Sequence, residues 1–111
     1  MSQMITILKN FAWITAAAGT YETPWVHYPS ELSNCEMITV IECVQAGSVD
    51  VHLKSSTDGS TAIAGGTGSA MTTVGAHLDS MTVNGTMVRV KLESSSATLM
   101  TISIYLLPKV S

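Results

Sequence analysis

Few side chains in this chain can do chemistry, and they are dispersed: His27, His52 and His77, Cys35 and Cys43, and eight carboxylates. The histidines recur at equal intervals. Their flanks do not repeat, since Tyr28-Pro29 follows His27 and a glycine-rich stretch follows the strand holding His52, so the spacing is coincidence and not an internal repeat. One histidine from each of three subunits could still meet on a symmetry axis and bind zinc or nickel. Asp50 and His52, two apart on a strand, share a face as a general base and its orienting acid would; two side chains on a solvated strand account for the pair more simply. The chain has no GxSxG elbow and no Cys-His nucleophile pattern. Its carboxylates lack the context of a glycosidase pair. Asp58-Gly59-Ser60 offers one carboxylate where a calcium loop needs several oxygens, and Gly65, Gly66 and Gly68 lack the lysine of a phosphate-binding loop. The expectation is a protein without catalytic residues, cofactor or metal. Cys35 and Cys43 fit neither a CxxC pair nor a zinc pattern and read as reduced thiols, Cys43 packed in a strand; a disulfide would matter only outside a cell.

The other notable residues are aromatic. Phe11, Trp13, Tyr21, Trp25 and Tyr28 crowd the N-terminal part of the chain and are the candidate protein-interface residues, since such side chains are enriched in protein contacts. Tyr21, Trp25 and Tyr28 would alternatively make a platform for stacking on sugar rings, with a glycan as ligand. Only 12% of the residues are charged, about half the usual share, and 46% are apolar, so Ser, Thr, Gly and apolar side chains must cover much of the surface. Such a surface suits burial against other protein. The five Lys and Arg are scattered in a chain of net charge −3, which argues against nucleic acid as partner. No stretch approaches the roughly twenty apolar residues of a membrane span, and Met1 to Thr6 lacks the start of a secretory signal, so the expected site of synthesis is a cytoplasm with no membrane partner.

Strands must position all of these groups. Residues 4–14 are rich in β-branched and aromatic side chains and read as a strand, with 16–20 as a loop, so that residues 1–20 form an N-terminal strand or arm ahead of a single domain over 21–111. Two prolines make 20–29 an edge strand or extended tail. Residues 30–34 form a polar turn, and Met37 to Val44 is apolar on both faces, the mark of a strand covered on both sides in a sandwich or against a partner. Val49, Val51 and Leu53 alternate with Asp50, His52 and Lys54, and Asp58-Gly59 closes that strand in a turn. Gly65, Gly66 and Gly68 predict a flexible loop. Residues 71–84 predict one or two short strands, ending in an Asn84-Gly85 hairpin turn. Met87 to Leu92 is a cleanly amphipathic strand. Residues 97–107 form the last one, ended by Pro108. Short strands at this spacing predict an all-β fold, an antiparallel sandwich of jelly-roll or Greek-key type.

The strings Thr23-Pro24-Trp25-Val26, Met37-Ile38-Thr39-Val40-Ile41-Glu42-Cys43, Val49 through Ser60, and Met87-Val88-Arg89-Val90-Lys91-Leu92 occur in an order that resembles small jelly-roll proteins encoded among tailed-bacteriophage structural genes, capsid decoration or cement proteins among them. The resemblance spans roughly residues 20–107. Ala62 or Ile63 stands where that pattern often has tryptophan, and Met87 where it has tyrosine. The resemblance implies a non-enzymatic virion protein, made in the host cytoplasm, that binds and stabilises the shell of the major capsid protein as a homotrimer at threefold positions, with residues 1–29 as the contact segment. The alternative is a carbohydrate-binding β-sandwich that uses Trp25 and its neighbouring tyrosines.

Overall fold

The computed structural model describes residues 4–28, 34–68 and 71–109, and its regular elements are all β-strands. They pair as one long hairpin. At its tip β5 (Asp50–Ser56) pairs with β6 (Ile63–Thr67), and outward from there β4 (Asn34–Ala46) pairs with β7 (Gly75–Thr82). Next β2 (Gly19–Glu22) and β3 (Val26–His27) pair with β8 (Met87–Ser94), and β1 (Ile5–Thr15) with β9 (Thr98–Lys109). Rolling the hairpin up adds the pairs β4–β9 and β5–β8. Every pair is antiparallel. The result is two sheets, β1-β9-β4-β7 and β2-β8-β5-β6 with β3 continuing β2 along β8. This is the jelly roll that the strand spacing predicts.

Alternation along the central strands builds the core. Val51 and Leu53 of β5 and Val88, Val90 and Leu92 of β8 point inward and meet Met37 and Ile41 of β4 and Met100, Ile102, Ile104 and Leu106 of β9, all of them buried. Each such side chain contributes about 1.5–3 kcal/mol relative to exposure. Asp50, His52 and Lys54, and Arg89, Lys91 and Glu93, take the intervening positions and face outward.

The structure departs from the sequence reading at definite points. Of the strand or arm expected at the N-terminus, residues 5–15 form the strand, at the edge of the sandwich and paired with β9 from Ile5↔Leu106 to Thr15↔Thr98 with two register shifts, and Trp13 is part of the core. The Pro24 edge is broken but still tied to β8: the Thr23 N–H donates to the Val90 carbonyl at 2.9 Å, and the Val90 N–H donates to the Thr23 hydroxyl at 3.0 Å. Residues 63–67 are a strand rather than a loop. Glycine serves there because Gly66 has φ +138° and a Cβ on it would come within 2.5 Å of the Met81 sulfur. Asn84-Gly85 is not a hairpin turn, since β7 and β8 lie in different sheets; the segment crosses the sandwich, with the Asn84 N–H on the Ser55 hydroxyl and the Thr86 N–H on the Ser56 carbonyl. Pro108 lies inside β9, where it pairs with Cys35 of β4, and the strand continues to Lys109 instead of ending at the proline. Residues 30–33 of the expected polar turn and the Cys43 side chain lie outside the described ones.

Candidate functional site

The outer face of the four-stranded sheet departs furthest from an ordinary surface. On β4, Ile38 and Val40 alternate with buried Met37, Thr39 and Ile41 and point away from the core. The pairing register sets Ile38 between Leu78 of β7 and Tyr105 of β9, with Thr6 of β1 beyond, and sets Val40 between Ala76 and Ser103. On the next row Leu107 stands beside Glu36. Leu78 is 60% exposed, and Ile14 and Leu99, paired on the far side of the sheet, are 65% and 36% exposed. Glu42 stands at one end of this face and at the other Glu36 is bound to Lys109 at 3.2 Å and to the Ser80 hydroxyl at 3.1 Å, while exposed Lys9 lies along the β1 edge. An apolar centre with a polar rim is the anatomy of a protein-binding surface. The strand read as apolar on both faces is therefore covered by the core on one face and left open on the other.

The outer face of the second sheet is charged, and five of its polar groups are linked to one another. Glu22 of β2 accepts from Lys54 of β5 at 3.1 Å and from Arg89 of β8 at 3.5 Å, and chiefly the Lys54 hydrogen bond holds its carboxyl below the usual range. Trp25 lies over the Arg89 guanidinium at 4.4 Å. His52 binds across both neighbouring strands. Its Nε2–H donates to Glu93 Oε1 at 3.0 Å, and its Nδ1 lies 2.8 Å from the Thr67 hydroxyl. The carboxylate that His52 contacts is thus Glu93, diagonally across the ladder on β8 where it stands opposite Asp50, and not Asp50 on its own strand. Hydroxyl, imidazole and carboxylate stand in the order of a nucleophile, base and acid, on the outer face of a sheet with Glu93 open to water, and together they link three strands.

The five aromatic candidates go to three places. Phe11, Trp13 and Tyr21 meet where β1 of one sheet faces β2 of the other: the Phe11 and Tyr21 rings stack at 4.8 Å, and Trp13 lies 6.4–6.5 Å from both. Trp13 is 5% exposed, and its Nε1–H donates to the Ser94 hydroxyl at 2.8 Å. Tyr28 is fully buried, with its hydroxyl on the Asn34 carbonyl at 3.3 Å, and burial pushes its phenol well up. Trp25 alone joins the charged face. Tyr21, Trp25 and Tyr28 consequently do not share a platform. Sequence reasoning did not single out Ile38, Val40, Leu78, Tyr105 and Leu107 as a group, because only the register brings them together.

The remaining reactive groups serve the fold. Cys35 is a free, buried thiol, pushed up to about 11 by burial. Asp58 Oδ1 accepts from the N–H groups of Thr61 and Ser60 and from the Ser56 hydroxyl, which brings its carboxyl down to about 2 and locks the β5–β6 loop. Among the described residues no three His, Cys, Asp or Glu side chains are grouped to hold a metal, and no helix is long and apolar enough to cross a membrane. The chain matches no protein-family model, no curated protein and no solved structure.

Proposed function

We propose that this chain is a non-enzymatic structural protein that binds an assembled protein shell, as the phage capsid decoration proteins it resembles do, and that it docks through the outer face of the four-stranded sheet. The observation that carries the docking site is the uncharged surface formed by Ile38, Val40, Leu78, Tyr105 and Leu107, framed by Glu36, Lys109 and Glu42. Burying it against a shell protein removes apolar area from water at about 25 cal/mol per Å² and desolvates no charge at its centre. The resemblance supplies the class of partner, the major capsid protein, and with it a virion location. The segment 1–29 contributes to this reading through Ile14 at the margin of the face.

The test is co-sedimentation with empty shells assembled from the capsid protein encoded alongside this chain. Wild type should pellet with shells, and an Ile38→Lys/Val40→Lys variant with a wild-type circular dichroism spectrum should stay in the supernatant. Wild type that does not bind, or a folded variant that binds as well as wild type, overturns the proposal.

A further inference from the structure

Among the described residues the sandwich has four strand edges, and three are blunted. β1 carries two register shifts and Asn10 at φ +53°. The opposite edge of the second sheet is cut by Pro24 into strands of four and two residues. β6 has five residues, two of them glycine, and a shift of its own. β7 is different. It ends its sheet as eight residues, Gly75–Thr82, paired with β4 without a shift and containing no proline and no lysine. Among the described residues no strand pairs with its free side, so this edge offers a row of backbone donors and acceptors to a further strand.

The side chains of β7 restrict which strand fits. Toward the core side it carries His77 and Asp79, both half-buried, and toward the outer face Ala76, Leu78, Ser80 and Thr82, all exposed. A carboxylate beside the edge rejects a generic strand, because an added strand would bury it without a counter-charge. A second β7, running antiparallel about a twofold axis at Leu78, meets this condition. It sets His77 opposite Asp79 of the second copy and Asp79 opposite His77, Leu78 against Leu78, and Ala76 against Ser80. Opposed residues must share a face, so registers change in steps that move the axis to the next residue. Axes at residues 77 and 79 set His77 or Asp79 against itself, and only the Leu78 axis makes both opposite pairs.

We propose that two copies of this chain pair edge to edge through β7 in this register, joining their four-stranded sheets into one of eight strands. The inference does not depend on what covers the outer face, and it would join two such faces into one surface. It also differs from the threefold assembly that the family resemblance implies.

The experiment is sedimentation equilibrium of the purified chain without shells, together with oxidation of single-cysteine additions. Wild type should show twice the mass of one chain. His77→Asp, which opposes carboxylates at both sites, should weaken the dimer by about tenfold or more, and His77→Lys should preserve it. Under mild oxidation Leu78→Cys should form a covalent dimer, since directly opposed Cβ atoms lie about 4.5–5.5 Å apart, and Ser80→Cys should not, its copies standing four residues from register. A wild-type monomer up to near-millimolar concentration, a trimer, a His77→Asp variant that dimerises as wild type does, or cross-linking at Ser80→Cys in place of Leu78→Cys each overturns the proposal. Because shells are absent, these outcomes are independent of the co-sedimentation result.

Discussion

The two outer faces of this sandwich are made from the same strand geometry and end up chemically opposite. On the β2-β8-β5-β6 sheet the outward positions hold Asp50 and Lys91 together with Glu22, Lys54, Arg89, His52 and Glu93, and the last five are linked to one another within the domain. On the β1-β9-β4-β7 sheet the outward positions hold Ile38, Val40, Leu78, Tyr105 and Leu107, with the Glu36–Lys109 pair at one end. A face whose charges are paired in place gains little from a partner. A face left apolar is stabilised by one. The contrast also accounts for a composition half as charged as usual: the charge is concentrated on one side and sparse on the other.

The largest expected effect comes from making the faces alike. Lysines at Ile38 and Val40 should lower shell affinity by about a hundredfold or more, because the apolar centre would then bury two unpaired charges, while a lysine at Thr20 on the charged face should leave affinity unchanged; titration of labelled protein onto shells measures both. Next is Trp25→Ala. Removing the ring over Arg89 should cost about 0.5–1 kcal/mol in denaturant unfolding and leave shell binding intact. Loss of shell binding in that variant would move the docking site to the charged face.

Glu22→Gln should cost less, under about 1 kcal/mol, since the carboxylate and its two cations are all partly solvated. Its sign with pH is set by the lowered carboxyl: the stabilisation is present above the ordinary glutamate range and is lost as pH falls through the folded value, so the variant should unfold with a shallower acid dependence. The smallest effect belongs to Asp58. With its carboxyl at about 2, its contribution is full above the ordinary aspartate value of about 4 and disappears between about pH 4 and pH 2. Asp58→Asn should flatten that part of the acid-unfolding curve and leave both faces as they are.

Much of the fold was legible because β5 and β8 alternate cleanly, one apolar side chain in and one charged side chain out, and because turn residues recur between strands. The errors were local signals overruled by the roll. Asn84-Gly85 has the composition of a hairpin turn, but the strand before it belongs to β4 and the strand after it to β5, so the turn became a crossing. Gly65-Gly66 reads as a loop, yet it allows β6 to pass close over Met81. The apolar outer face was half legible. Met37 to Val44 is apolar at every outward position except Glu42, which requires cover on two sides, but sequence alone does not say that Leu78 and Tyr105 lie beside Ile38, because that adjacency joins residues far apart in the chain. The aromatic residues misled for a related reason: burial took Trp13 and Tyr28 into the domain, and composition cannot separate an aromatic that closes its own core from one that waits for a partner.

The most direct measurement is hydroxyl-radical footprinting of the free and shell-bound protein, read residue by residue. Protection of Ile38, Leu78, Tyr105 and Leu107 on binding, with Trp25 and the remaining charged face unchanged, is the expected result. Protection of Trp25 and its neighbours, with Tyr105 and Leu107 as reactive as in the free protein, would contradict docking through the apolar face.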